Sequence, residues 1–165
     1  MSITLPRPNL LKPKIPSLFV IGLLASQYIL FGTGSNSEPN CTLKVERPHL
    51  STYLREYKNI DAVKLNITSE CNVPQKRTDL NASIQTIYNN KQISAYSFDK
   101  VSAFPKGKNE NRAIFDGLFA TCIRGNPIMY LGSASGKVYL KSGQIYPVNG
   151  VSDLFIAVPC RISAK

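Results

Sequence analysis

A two-residue alternation of apolar and polar side chains dominates the chain beyond residue 40 and limits what it can fold into. Between Asp61 and Cys71 one parity holds Val63, Leu65, Ile67 and Cys71, and the other holds Lys64, Asn66, Thr68 and Glu70. The same alternation occurs in residues 41–46, 79–86 and 154–162. Successive side chains of a strand point to opposite faces of its sheet, so the pattern predicts strands with one buried and one wet face.

Turn-forming residues separate these alternating runs, among them Asn72-Val73-Pro74, Gly125-Asn126-Pro127, Ser135-Gly136 and Asn149-Gly150. The predicted strands are roughly 45–46, 51–57, 61–71, 78–88, 93–104, 112–123, 127–133, 137–140 and 153–162. The segment Leu50 to Asn59 also has leucines and tyrosines at helical spacing, so strand and short helix both stay open there. Many short strands at near-regular spacing predict an all-β domain, a single antiparallel β-sandwich.

The four cysteines all lie in the alternating part of the chain, on the apolar faces of the predicted strands: Cys41, Cys71, Cys122 and Cys160. Four cysteines allow three pairings. We favour Cys41 with Cys71 and Cys122 with Cys160, because each bridge joins the start and the end of a local unit. An even number of cysteines is typical of structural disulfides in an oxidising compartment. They also lack the close pairs of a structural zinc site, so we predict no metal and no cofactor.

An uncharged apolar stretch, Ile15 to Phe31, precedes the alternating part. Three cations and no acid come before it: Arg7, Lys12 and Lys14. This arrangement predicts export, with the N-terminus kept in the cytoplasm. The length of the stretch lies between that of a signal peptide and that of a spanning helix. Gly32-Thr33-Gly34 offers small residues for cleavage before Ser35, so a cleaved signal and a retained anchor helix both remain open.

These features divide the chain into three parts. Residues 1–34 are predicted as a signal peptide or an N-terminal hydrophobic anchor helix, residues 35–40 as a spacer, and residues 41–165 as the disulfide-stapled β-sandwich domain. The expected location is extracellular or on the outer face of the cytoplasmic membrane. If the first part is retained, the membrane itself is a partner through Ile15 to Phe31.

The chain is basic, with 20 Lys and Arg against 10 Asp and Glu and a formal net charge of +10. Its cations are dispersed and are not interleaved with stacking aromatic residues, so no specific binding of nucleic acid is expected. The local clusters that fit a polyanion or an anionic membrane surface are Lys76, Arg77, Lys106, Lys108 and Arg112.

His49 is the only histidine of the chain. An extracellular hydrolase would have to combine it with a nearby serine, such as Ser51, Ser133 or Ser135. None of these serines lies in a nucleophile elbow, and a Gly/Ser turn explains the sequence around Ser133 and Ser135 more simply. The hydrolase therefore stands as an alternative to a non-catalytic domain.

Asp116 interrupts an apolar run at a position of core parity. A bulge or turn at Asp116-Gly117 would turn its carboxylate to solvent, because an extra residue in one strand shifts the parity of those that follow. We therefore expect Asp116 at the surface and assign it no catalytic role.

One order of motifs extends through the predicted domain: Cys41, Pro48-His49-Leu50-Ser51, Cys71, Cys122, and Tyr146-Pro147 before Cys160. This order resembles small exported proteins of actinobacteria that have a signal segment and one four-cysteine immunoglobulin-like β domain. The resemblance covers about residues 41–161 and implies a fold and a compartment. The group has no assigned activity, so the resemblance adds nothing on mechanism. Because every cysteine is expected to be structural and no constellation of catalytic polar residues is evident, the expected function is an exported, non-catalytic module that binds an extracellular or envelope protein or a glycan.

Overall fold

The predicted alternation corresponds to a structure built almost entirely of β-strands. The computed structural model describes residues 38–89, 91–153 and 156–162. The stretch from Ile15 to Phe31 lies outside these residues, so its predicted role stays a prediction. In the described ranges, no helix has both the length and the apolarity that crossing a membrane requires.

All strand pairs in the described ranges are antiparallel and belong to one curled sheet, a half-barrel. The strands are β1 Cys41–Val45, β2 His49–Leu50, β3 Ala62–Cys71, β4 Gln75–Tyr88, β5 Lys91–Ala103, β6 Arg112–Leu140, β7 Ile145–Val151 and β8 Ile156–Ile162. The sheet order is β1-β3-β6-β4-β5, with β2 added to β3 and both β7 and β8 added to β6. The prediction of a mostly β domain is confirmed.

The 29-residue strand β6 is shared by both halves of the sheet. Its residues 112–121 pair with β3, and its residues 129–140 pair with β4. The prediction of three separate strands here is wrong. A register shift between Arg124 and Ile128, opposite β8, takes up Gly125-Asn126-Pro127 without ending the strand.

Two further predicted turns are wrong, because their glycines serve close packing. Gly136 lies inside β6, where a Cβ atom would meet the backbone of β4 at Asp79 and Leu80. Gly150 lies inside β7, where a Cβ atom would lie 2.9 Å from the carbonyl oxygen of Leu43. Glycine in a strand often marks such an approach of another backbone. Strand β7 was therefore missed, and residues 156–162 of the predicted strand 153–162 form β8.

The segment left open between strand and helix contains the helix α1, Thr52–Lys58. Ser51 caps its start by accepting a hydrogen bond from Leu54 N at 3.3 Å. Asn59 ends it in the left-handed conformation, with a φ of 52°. No residue of α1 is buried, so this helix presents most of its side chains to solvent.

The two disulfides found are the pairs favoured from the sequence. Cys41 is bonded to Cys71, directly across the β1–β3 ladder, and Cys122 is bonded to Cys160 between β6 and β8. No free cysteine is found. The bridges are part of a continuous core whose largest fully buried side chains include Tyr130, Leu65, Ile67, Leu80 and Ile84.

Tyr130 fastens β8 to β6 from inside this core, where it is fully buried. Its hydroxyl donates to the carbonyl oxygen of Cys160 at 2.8 Å and accepts from Ile162 N at 2.9 Å. Burial raises the pKa of the Tyr130 phenol above its ordinary value, because the anion would lose its hydration.

The expected bulge at Asp116 is confirmed. Leu65 pairs with Leu118 and Ile67 pairs with Phe115, so the single residue between Leu65 and Ile67 faces both Asp116 and Gly117. Phe115 and Leu118 are therefore both buried, whereas Asp116 is exposed. The carboxylate is outside the core and has no structural partner that would hold it for catalysis in the described residues.

Candidate anion-binding end of the domain

Four segments meet at one end of the sheet, which we call the Cys41 end. They are residues 38–40 ahead of β1, the β3–β4 turn 72–74, the β5–β6 loop 104–111 and the β6–β7 turn 141–144. Their placement follows from the strand register, which pairs Cys41 with Cys71, Glu70 with Arg112, Gln75 with Leu140 and Thr78 with Ala103. Segments that are far apart in sequence thus form one surface.

The Cys41 end gathers four of the five cations that the sequence singled out. Lys76, Lys106, Lys108 and Arg112 are all exposed there. Lys106 and Lys108 lie in the β5–β6 loop, whereas Lys76 lies near the start of β4 and Arg112 begins β6. The structure therefore brings scattered cations to one end of the domain, where they outnumber the acids although Glu70 pairs with Arg112 across the ladder.

Arg77 does not share this arrangement, because its charge is already compensated. Its Nε lies 3.1 Å from Oδ2 of Asp79, and its guanidinium carbon lies 4.2 Å from the centroid of the Tyr139 ring. An ion pair and a cation–π contact hold this side chain against the sheet. Arg77 is accordingly removed from the candidate site.

The β5–β6 loop adds an apolar residue that the sequence reading missed. Phe104 was assigned to the predicted strand 93–104, but β5 ends at Ala103 and Phe104 is 59% exposed. It stands directly before Pro105, and Lys106 and Lys108 follow. The signal that could have found it is this succession of an aromatic residue, a proline and two lysines within the five residues 104–108, none of which is acidic.

A buried polar cluster fixes the base of this loop. The side chain of Gln75 is 1% exposed and accepts hydrogen bonds from Thr78 Oγ1 at 2.8 Å and Ser69 Oγ at 3.1 Å. Its Nε2 donates to the carbonyl oxygens of Asn111 at 2.6 Å and Ser69 at 3.3 Å. Buried polar groups that are fully paired define one local geometry. Gln75 thus joins β3, β4 and the loop.

Two main-chain bonds and one ion pair add to this support. Gln75 N donates to the Glu110 carbonyl oxygen at 2.7 Å, and Cys71 N donates to that of Asn111 at 2.9 Å. Lys141 Nζ lies 2.6 Å from Oε1 of Glu110, so these two charges compensate each other. The last part of the loop is therefore held on the sheet, and its exposed lysines project from a fixed base.

The chain joins the domain at this same end. Asn40 N donates to Asn72 Oδ1 at 2.8 Å, and Asn72 N donates to the Asn40 carbonyl oxygen at 3.0 Å. Asn72 Nδ2 also donates to the carbonyl oxygen of Glu38 at 3.1 Å. Together with the Cys41–Cys71 disulfide, these bonds fix the direction in which residues 38–40 leave the domain.

The residues predicted for a hydrolase make separate contacts in different parts of the fold. His49 lies in β2, where its Nδ1 is 3.1 Å from the carbonyl oxygen of Arg47. Ser51 caps α1, and Ser133 is hydrogen-bonded to a serine and a glutamine of β4. Over residues 38–89, 91–153 and 156–162, no hydrogen bond links His49 to Ser51, Ser133 or Ser135.

Comparisons of the chain with protein-family models, with curated proteins and with solved structures find no match. The resemblance to exported four-cysteine proteins therefore stays a sequence-based interpretation. The function has to be argued from the disulfides and from the chemistry of the Cys41 end.

Proposed function

We propose that this protein is an exported, non-catalytic binding domain, either secreted or held at the outer face of the cytoplasmic membrane. The observation that carries the proposal is the pair of disulfides, which use every cysteine of the chain. Disulfides of this kind form and persist outside the reducing cytoplasm.

The finer part of the proposal concerns fold family and partner. The domain is of the immunoglobulin-like type, and the stretch from Ile15 to Phe31 is its export signal or its anchor. Its partner is an envelope or extracellular protein, or a glycan. Supporting this are the β-rich fold and the sequential cysteine pairs, which match the expected cysteine pattern.

Intact mass spectrometry tests location and redox state together. Cells expressing the full chain are separated into medium, membrane and cytoplasm, and each fraction is alkylated with and without prior reduction. We expect the protein outside the cytoplasm, with cysteines that react only after reduction. Its mass also distinguishes residues 35–165 from the full chain. A cytoplasmic protein with four reactive thiols would contradict the proposal.

A second candidate function is binding of a polyanion or an anionic membrane surface. The observation that favours it is the gathering of Lys76, Lys106, Lys108 and Arg112 at the Cys41 end. Exposed charges act over roughly 8–10 Å at physiological ionic strength, so the binding must weaken as salt is raised. Retention on immobilised dextran sulfate that does not change with salt would reject this function.

A further inference from the structure

We propose that the Cys41 end docks on the headgroups of an anionic lipid bilayer, with the β5–β6 loop foremost. The proposal deepens the second candidate function and rests on it. It commits to a lipid surface as the partner and to one orientation of the domain on that surface.

The first argument is the chemistry of the loop. Phe104 is 59% exposed, and the cations Lys106 and Lys108 follow it within four residues. Association with a membrane interface combines an apolar group in the headgroup–acyl boundary with cations that attract anionic lipids. Lys76 and Arg112 extend the positive surface beside the loop.

The second argument is the fixed base of the loop. Glu110 and Asn111 are bonded to Gln75 and Cys71, and Gly107 has a φ of +67°, which favours glycine. A loop that is held at its base loses less conformational freedom on binding than an untethered segment does. At the other end of the loop, Phe104 directly follows Ala103, the last residue of β5, which pairs with Thr78, so the sheet holds both ends.

The third argument is where the chain leaves the domain. A retained anchor in Ile15 to Phe31 would tether the domain through Asn40, which lies at the Cys41 end. The residues between Phe31 and Asn40 span at most about 30 Å when extended, so this end stays near the membrane. The tether makes docking intramolecular and raises the effective concentration of the basic surface. Cleavage before Ser35 would instead add a positive α-amino group near the same end.

The α1 end is the rival docking surface. Tyr53 and Tyr57 are 61% and 71% exposed, their ring centroids are 5.1 Å apart, and Arg55 and Lys58 lie beside them. Charge alone therefore does not distinguish the two ends. Strand β3, whose 10 residues extend over about 30 Å, separates α1 from residues 38–40. A tether through Asn40 therefore places the Cys41 end, and not α1, close to the membrane.

The absence of tryptophan from the chain provides the test. Phe104→Trp and Tyr57→Trp each introduce a single fluorescent reporter, one at either end of the domain. The full chain carrying either reporter is reconstituted into vesicles of phosphatidylcholine alone or with phosphatidylglycerol added. We expect the F104W emission to shift to the blue and to be quenched by brominated lipid only in the anionic vesicles. The Y57W emission should stay unchanged in both.

Matched charge variants measure how much the cations contribute. The triple variant K76Q/K106Q/K108Q is compared with R47Q/R55Q/K58Q, which removes the same charge near α1. One surface cation changes the docking constant about fivefold, so the first triple variant should lower it roughly 100-fold. The second should change it far less, and high salt should reverse the F104W shift. Circular dichroism and resistance to alkylation confirm that the variants are folded.

Three outcomes overturn the proposal. A blue shift of Y57W without one of F104W would assign docking to the α1 end. An equal F104W shift in neutral vesicles would show that anionic headgroups are not recognised. Salt-sensitive binding to dextran sulfate without any F104W shift would keep the second candidate function and exclude the lipid surface. None of these results would affect export, which the mass measurement tests separately.

Discussion

Replacing Gln75 by leucine tests the buried cluster that supports the β5–β6 loop. The substitution keeps a side chain of similar size and removes all four hydrogen bonds of the amide. At a net value of about 1 kcal/mol each, these bonds contribute about 4 kcal/mol. The buried apolar surface of leucine returns about 2 kcal/mol. The hydroxyls of Thr78 and Ser69 are 3.1 Å apart, so without Gln75 one can donate to the other, and we expect a net destabilisation of about 2 kcal/mol.

Urea denaturation with both disulfides intact measures this change. For a domain of this size the m-value is about 1–3 kcal/mol/M, so the midpoint should fall by about 1 M. Gln92→Leu is the control, because Gln92 is an exposed glutamine of β5. Its free energy of unfolding should stay within about 0.5 kcal/mol of the original value.

The same substitution should also loosen the loop base. Without the Gln75 side chain, the carbonyl oxygen of Asn111 keeps only its 2.9 Å bond from Cys71 N. Amide hydrogen exchange around residues 109–112 should therefore accelerate in Q75L more than exchange in β7. If Q75L is as stable as the original chain and its loop amides exchange at unchanged rates, the argument that this cluster holds the loop is wrong.

Three further predictions concern the core. Burial raises the pKa of Tyr130, so the folded state holds the phenol proton more tightly than the unfolded chain does. The contribution of Tyr130 to stability should be constant below about pH 10 and be lost as pH rises through the folded pKa. Urea titrations of Y130F, which should be less stable throughout, should lack that loss. Gly136→Ala should destabilise the fold by several kcal/mol or prevent folding, because the new Cβ would meet the backbone of β4. Gly117→Ala is the control, since the space around Gly117 is open, and thermal denaturation should show it to be nearly neutral. Cys122→Ala/Cys160→Ala should cost about 4 kcal/mol for a 38-residue separation, and a urea midpoint equal to that of the bridged protein would contradict this estimate.

Local alternation was enough to predict the strands that pair over most of their length with one buried face. β3, β4 and β5 lie close to the predicted ranges, and the cysteine pairs followed from the expectation that each bridge joins the start and the end of a local unit. β6 was not predictable in this way, because its continuity depends on partners that change along its length. Gly136 and Gly150 were read as turns, although both serve the close approach of another strand. Sequence alone does not distinguish these two uses of glycine.

The candidate site, like the fold, could be predicted from the sequence only in part. The sequence identified Lys76, Lys106, Lys108 and Arg112 as charges, but their common location depends on which strand connections share an end of the sheet. It also missed Phe104, because one residue decides whether an aromatic side chain closes a strand or opens a loop. Arg77 was included among the candidate binding cations, although it forms an ion pair with Asp79 and a cation–π contact with Tyr139. Those contacts arise only once the sheet is formed.

The position of the Cys41–Cys71 disulfide has a mechanical consequence. The bridge lies one residue inside the point where the chain joins the domain, and it connects β1 directly to the end of β3. A pulling force applied at Asn40 therefore passes through a covalent bond to β3. Strands β1 and β2 and helix α1 lie within the closed loop and cannot be drawn out as an extended chain. Tension applied at Asn40 therefore bypasses β1, β2 and α1 and reaches β3, which pairs with the longest strand, β6.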